Sequence, residues 1–431
     1  MGSQNTLTAT EDLVLTMLVV GYGLAFVLQR LRRRRSMLRI GQPLVFGIVL
    51  RVLAVFGINA TSLVTSVRGG DETTFLDFAH VLAATPWGHG FLPHGPYQLQ
   101  TVLFAVQLKA FSLTQTSLRM TQIGISMLGI MLIAASVYDL AGPRPARLTV
   151  WLCAIDPANL LFNSGLLKEP LMVLASGLVV FGATKIWRGL QLDGAVWAAL
   201  GGLIAIYTRS YAGWFLVSAS VLVLVHSALR RLDRPGRATS VLFAVFVIAF
   251  VTTPTLLTVT SSKSLQTLQA SQNGNAAGAA TATGQANSDN LALERVDFST
   301  RGAVVRNLPG RIFDLIFRPF PWQLQDSSQQ IGAIGSLVAL FGLGALLFYG
   351  YHARRDVIAY TAPLLYPFVF LLIAYALSAG NAGTGFRYRS HLVLLGAGML
   401  AILRERTIVA RDQPADAGEP VPAQPRQMVV A

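Results

Sequence analysis

The chain has 431 residues and a mass of 46.3 kDa; 53% of its residues are hydrophobic, 13% are charged, and its mean hydropathy is +0.54. Soluble domains carry about 25% charged residues, so this composition argues against a soluble globular enzyme, and the absence of any alternating pattern of strand length argues against a transmembrane β-barrel. The formal net charge of +14 sits largely in short runs beside apolar blocks, where membrane orientation calls for it, and so does not point to nucleic acid.

In chain order, the apolar blocks predict helical spans over roughly 12–31, 43–64, 120–140, 148–164, 170–187, 195–208, 212–229, 238–258, 331–350, 357–378 and 391–404, most of them near the ~20 residues that cross a bilayer core. The first is not a cleavable signal peptide. No basic segment precedes it, and Arg30, Arg32, Arg33, Arg34 and Arg35 lie at its end or just after it. The basic stretches 30–39, 143–147, 185–188, 229–237 and 351–356 all fall on the cytoplasmic side under one condition. The block 98–113, with Gln98, Gln100, Gln107 and Lys109, must lie along the outer surface or re-enter instead of crossing. The expected fold is therefore all-α: a polytopic transmembrane helical bundle of about eleven crossings, N-terminus out and C-terminus in, with external juxtamembrane helices. The expected location is the plasma membrane, as a multi-pass protein.

This topology leaves 65–119, 165–169, 209–211, 259–330 and 379–390 outside. Residues 261–290 are Ser, Gln, Asn, Ala and Gly with few large apolar side chains, and mobility is expected there. Residues 299–322 alternate basic and apolar side chains, predicting a helix in the headgroup region, broken near Pro309. The organisation expected is an added span and basic cytoplasmic turn over 1–40, a membrane domain over 41–404, and a disordered cytoplasmic tail over 405–431. There is no internal repeat, and the single Cys153 excludes an intramolecular disulfide.

The informative residues break the rules that place the spans. Lys168, Arg209, Arg318, Arg387 and Arg389 all fall outside, at or near span ends, where cations are disfavoured by topology. A lipid phosphate or pyrophosphate would hold them there, because guanidinium groups pair bidentately with its oxygens; snorkelling to ordinary headgroups is the plainer account of any one of them. Arg387 and Arg389 flank Tyr388 in a glycine-rich segment, where backbone can approach a ligand closely. Asp71 and Glu72 follow a Gly-Gly turn and open a stretch whose Phe75, Phe78, Ala79 and Leu82 share a helical face. They serve as a helix N-terminus, or as a base for a substrate hydroxyl. Lys168-Glu169-Pro170 places a cation and an acid at the outer start of a span, with Pro170 where its missing N–H costs little. His80, His89 and His94 share the first loop with that acidic pair, but their spacing matches no ligand pattern and no metal ligand is assigned. No cofactor is certain; the acidic loop leaves room for a divalent cation. Arg51, inside the second span, has no partner legible in the sequence.

Asp71-Glu72, Leu118-Arg119 leading into a span, Lys168-Glu169-Pro170 and the late Gly385-Phe386-Arg387-Tyr388-Arg389 form an ordered set that resembles the C-type membrane glycosyltransferases (GT-C). The closest likeness is to bacterial members that use polyprenyl-phosphate sugars. It covers most of 40–400 as short motifs, of which the acidic pair is the most specific. The resemblance implies that Asp71, with Glu72 beside it, is the general base. It implies that Arg387 and Arg389 hold the lipid phosphate, and that Glu169 is a second acidic site with Lys168 as a phosphate contact. The implied activity is inverting transfer of a sugar from a polyprenyl-phosphate donor to a hydroxyl of a glycan or lipid acceptor at the outer face, in cell-envelope assembly. The added first span and the lack of a large folded C-terminal outer domain depart from the family. A polysaccharide polymerase or ligase with a lipid-diphosphate donor, and a lipid-linked sugar transporter or flippase, are the alternative readings; the polar residues cluster at the outer face, away from the midplane site a transporter would use. No nucleotide-binding loop is present.

Overall fold

The computed structural model describes residues 8–61, 69–95, 97–231, 297–298, 300–323 and 327–412, with a few more between 266 and 274. All regular structure among them is helical: α1 (Ala9–Arg34), α2 (Gly41–Asn59), α3 (Gly69–Ala84), α4 (Leu99–Phe111), α5 (Gln115–Ala141), α6 (Pro143–Ile155), α7 (Pro157–Phe162), α8 (Glu169–Gly189), α9 (Leu192–Thr208), α10 (Ser210–Leu229), α11 (Arg301–Phe317), α12 (Ser327–His352), α13 (Val357–Ser378) and α14 (Ala382–Asp412). Seven of these, α1, α2, α5, α8, α10, α12 and α13, are long and apolar enough to cross a membrane. The 17 residues of α9 give ~26 Å of helix, and the 31 of α14 give ~46 Å.

The core is built around α5 and α8, which cross with their backbones nearly touching. A Cβ on Gly129 would lie 2.5 Å from the Val173 carbonyl oxygen, and one on Gly177 would lie 2.5 Å from that of Gly129. Small residues allow this approach, and in lipid close packing replaces the hydrophobic driving force between helices. The contact fixes the two helices whose site-end residues are Arg119 and Glu169. The first helix is tied in by polar contacts as well: Asp12 Oδ2 accepts the Thr114 N–H at 2.8 Å and the Ser117 hydroxyl at 2.7 Å, capping the start of α5.

Several sequence expectations are corrected. The stretch 148–164 is not one span: the helix breaks at Asp156, which caps α7 through the Asn159 N–H at 2.8 Å, with Pro157 at the first helical position. A proline at that place donates no bond the helix needs, so one apolar run divides into two helices. The span expected over 391–404 is longer: α14 begins at Ala382, within the segment 379–390. The helix over 301–317 is not broken at Pro309; α11 runs through it. The C-terminal segment stays helical to Asp412, beyond the boundary expected at 405. The predicted span 238–258, half of the 259–330 loop and the tail after 412 lie outside the described residues. The doubtful block 98–113 forms the 13-residue α4, ~20 Å long and short of a bilayer core. Gln100 Nε2 donates to the Leu166 carbonyl at 2.8 Å, and Lys109 Nζ donates to those of Ala83 and Thr85 at 2.8 and 2.5 Å.

Charges separate to the two ends of the bundle. At one end Arg35 pairs with Asp139, Nε to Oδ1 at 2.9 Å, and Arg188 reaches the same carboxylate at 3.6 Å. Arg231 donates to the Trp187 carbonyl at 2.8 Å, and Arg406 meets Asp356 at 3.2 Å. Helices α5, α8 and α14 run from this basic end to the opposite one, which holds Arg119, Glu169 and Arg387. Arg51 is fully buried in α2 and donates to the carbonyls of Gly47 and Cys153 at 3.0 and 3.1 Å.

Candidate functional site

Opposite the basic end, four remote segments converge: the start of α3, the turn before α8, the junction of α9 and α10, and the first turns of α14. Asp71 and Glu72 lie in the first turn of α3, where the helix dipole favours carboxylates. Their surroundings differ sharply. Glu72 is 4% exposed, and its Oε1 accepts from Arg119 Nε at 2.9 Å and Nη2 at 2.5 Å. Its Oε2 would lie 3.3 Å from a Cβ placed on Gly165, so the turn before α8 closes over it. The Asp71 side chain is 58% exposed and accepts from Nη1 of Arg387. Of the two acids, only Asp71 is open to an incoming group.

Glu169, the first residue of α8, is buried and accepts from Arg209 Nη2 at 2.6 Å. The Arg209 guanidinium also lies 4.6 Å from the centre of the Tyr388 ring. Tyr388 stacks on Tyr375 at 4.5 Å with planes 23° apart, and its hydroxyl accepts from Tyr211 at 2.6 Å. The Tyr375 hydroxyl in turn is hydrogen-bonded to His391 Nδ1 at 2.9 Å. This aromatic floor locks Arg209, and with it the start of α8, against α14.

Lys168 is the cation left over. Arg387, Arg209 and Arg119 each have a carboxylate, whereas Lys168 Nζ lies 4.9 Å from the centre of the Phe75 ring and makes no salt bridge among the described residues. Burial first, then the nearby Arg209 charge, lower its pKa from the ordinary 10.5 to about 8, against the opposing pull of Glu169 and Asp71. A lysine held this way is ready for an anion, whose charge favours the protonated form.

The structure thus gathers Asp71, Glu72, Lys168, Glu169, Arg209, Arg387 and Tyr388 at one place. Two candidate residues are elsewhere. Arg318 pairs with Asp314 at 3.1 Å and lies 5.6 Å from the centre of the Phe320 ring. Arg389 does not join Arg387 in a clamp: residues two apart on a helix point ~200° from one another. Arg389 instead donates through Nη1 to the Ile316 carbonyl at 2.9 Å and to Ser336 Oγ at 2.7 Å. Nothing in the sequence marks Tyr211, Tyr375 or His391. Arg119 stands out there only as part of a motif, since an arginine at a span end looks like an ordinary anchor. No group of three or more His, Cys, Asp and Glu among the described residues is placed to hold a metal ion.

No family model matches the chain, and no curated protein matches it. Among solved structures it is similar to the archaeal oligosaccharyltransferase AglB from Archaeoglobus fulgidus, in complex with an inhibitory peptide and a dolichol-phosphate. The TM-score is 0.43 and the identity 16%, over 88% of this chain and 52% of that one. The chain spans about half the length of that protein, and a likeness at this level carries no argument about fold family, ligand or activity.

Proposed function

We propose that the chain is a GT-C-type glycosyltransferase that moves a sugar from a polyprenyl-phosphate donor to a hydroxyl acceptor. The proposed place is the outer face of the plasma membrane, with N-terminus out, C-terminus in and about eleven crossings. Residues 1–40 are an added span, 41–404 carry the site, and the remainder is a cytoplasmic tail. The observation that carries this reading is the pairing of Asp71 with Arg387, with Lys168, which makes no salt bridge among the described residues, nearby. A base that must lose its partner and cations that prefer phosphate are thereby placed together.

The chemistry follows from those positions. The donor phosphate draws Arg387 from Asp71 and neutralises Lys168. The released Asp71 carboxylate takes the proton of the acceptor hydroxyl. The acceptor oxygen bonds to the anomeric carbon as the bond from that carbon to the phosphate oxygen breaks, and the electron pair leaves with the polyprenyl phosphate. Arg387 and Lys168 stabilise the charge that develops there. Attack opposite the leaving group inverts the anomeric centre. Glu72, engaged by Arg119, is a positioning residue that fixes the start of α3, and Glu169 does the same for Arg209.

The test is the full chain in vesicles with a panel of polyprenyl-phosphate hexoses and pentoses and lipid or glycan acceptors, read as release of polyprenyl phosphate. Arg387→Ala should weaken donor binding by ~1.5–3 kcal/mol, the worth of a hydrogen bond to a charged group. Lysine at 387 should restore only part, since an ammonium cannot reproduce the planar fork. Stability should change by no more than about 1 kcal/mol, because the Asp71 partner is half exposed. Equal donor affinity in all three proteins would remove Arg387 from the site, and no release with any donor would remove the reading.

Lys168 sets the pH dependence. Only its protonated form attracts the phosphate, and its pKa in the empty protein is about 8. Donor affinity should be level below that pH and decline above it, until the higher pKa of the occupied state is reached. Lys168→Met should bind more weakly at low pH and lose this decline. A wild-type profile that stays flat through pH 8 would show that Lys168 does not meet the phosphate.

A further inference from the structure

On the side of α14 away from Arg387 lies a groove of about 410 Å³ between α6, α12, α13 and α14. Its walls are apolar, including Leu152, Leu346, Phe368 and Leu392, and among the described residues only Asp156 and Arg389 bring charge to it. Val338 and Phe341 on its rim are 40% and 75% exposed, so it opens sideways, toward the bilayer.

The polar end is built and incompletely partnered. Arg389 is 3% exposed. Its Nη1 is occupied by Ile316 and Ser336, but among the described residues Nε and Nη2 have no hydrogen-bond partner. Asp156 accepts through Oδ2 from the Asn159 N–H and side-chain amide, at 2.8 and 2.6 Å, while Oδ1 has no partner among the described residues. The charged neighbours of Asp156 are Arg51 and Arg389, two cations against one carboxylate. A net positive charge in so dry a place is costly unless an anion meets it.

We infer that this groove is a lipid site separate from the Arg387 cluster. It takes one acyl chain of a membrane phospholipid, with the phosphodiester against Nε and Nη2 of Arg389. Two features select this occupant. The lining of α14 runs from Arg389 to Leu400, ~16 Å at 1.5 Å per residue. That is about half of a ~30 Å hydrocarbon core, the depth of one leaflet. The excess charge is a single positive one, which the phosphodiester of a phospholipid cancels, whereas a free polyprenyl phosphate, a monoester, carries about −1.5 to −2; the sugar-charged donor, itself a phosphodiester, belongs to the Arg387 cluster. Arg389 also contacts the end of α11, a helix whose alternating arginines and apolar residues suit the headgroup layer.

The experiment is native mass spectrometry of the full chain released from detergent containing phosphatidylglycerol, with thermal melting of each variant to confirm folding. Wild type and Arg387→Gln should retain a bound phosphatidylglycerol. Arg389→Gln should lose about tenfold or more of that occupancy, as expected for one charged hydrogen bond. Gly342→Phe tests the chain-binding part without touching the charges: Gly342 lines the groove and a Cβ there meets nothing within 4 Å. It should fold normally and lose the lipid equally. Undiminished retention in Gly342→Phe and Arg389→Gln would overturn the inference. So would displacement of the phospholipid by an equal concentration of a polyprenyl phosphate whose own binding Gly342→Phe abolishes, since the groove would then belong to the isoprenoid.

Discussion

Asp71→Asn is expected to slow sugar transfer by ~10²–10⁴-fold, the usual contribution of a positioned general base, in a protein that still folds. Asparagine keeps the size of the side chain and an oxygen for Arg387, so the geometry at the start of α3 survives; only the capacity to take a proton is lost. The Asp71–Arg387 pair is more than half exposed on the carboxylate side, and such pairs are worth ~0–1 kcal/mol, so the melting temperature should barely move. Glu72→Gln makes the contrast. Glu72 is buried against Arg119, and removing its charge leaves a buried guanidinium without its counterion. The main effect there is lost stability. Transfer rates at saturating donor, measured beside thermal midpoints, separate the two acids. Near wild-type turnover in Asp71→Asn would withdraw the proton from Asp71, and an intact melting curve in Glu72→Gln would deny Glu72 its positioning role.

The sequence carried the bundle and one face of the site because hydropathy and charge asymmetry act locally. The spans over 120–140, 170–187, 212–229 and 357–378 correspond to α5, α8, α10 and α13, and the described parts of the basic stretches collect at one end. Local signals failed where composition and geometry part. The run 148–164 is mostly apolar, with Thr149, Asp156, Asn159, Asn163 and Ser164 as its polar residues, yet Asp156 and Pro157 end one helix and start another. Asn381-Ala-Gly-Thr-Gly is rich in glycine and precedes the expected span, yet α14 begins at Ala382, and a helix sends Arg387 and Arg389 to opposite sides. An expected two-arginine clamp therefore became Arg387 paired with Asp71 and Arg389 at the groove between α6, α12, α13 and α14. The partners of Glu72 and Glu169, 47 and 40 residues away, depend on how helices are arranged in space. No spacing rule along one chain announces such pairs. The partners of Arg51 are backbone carbonyls, which every residue supplies and which no side-chain pattern marks.

Arg209→Met should destabilise the protein by ~3–5 kcal/mol, the penalty for leaving one member of a buried ion pair alone. Glu169 is 1% exposed and Arg209 9% at the side chain, and the pair ties the start of α8 to the α9–α10 junction. The double variant Glu169→Leu with Arg209→Met removes both charges and fills the space with apolar atoms. Its stability should recover most of the loss, since apolar replacements of buried pairs are often neutral or better. A double-mutant cycle of melting free energies in detergent then isolates the coupling between the two side chains. Function should not recover with stability. Arg209 packs on Tyr388 and influences Lys168; its loss removes one of the cations beside the proposed phosphate position and unlocks the floor under it. Donor affinity in the double variant should therefore stay below wild type while its melting temperature approaches it. If affinity returned along with stability, Arg209 and Glu169 would be a structural pair alone, and phosphate recognition would rest on Arg387 and Lys168.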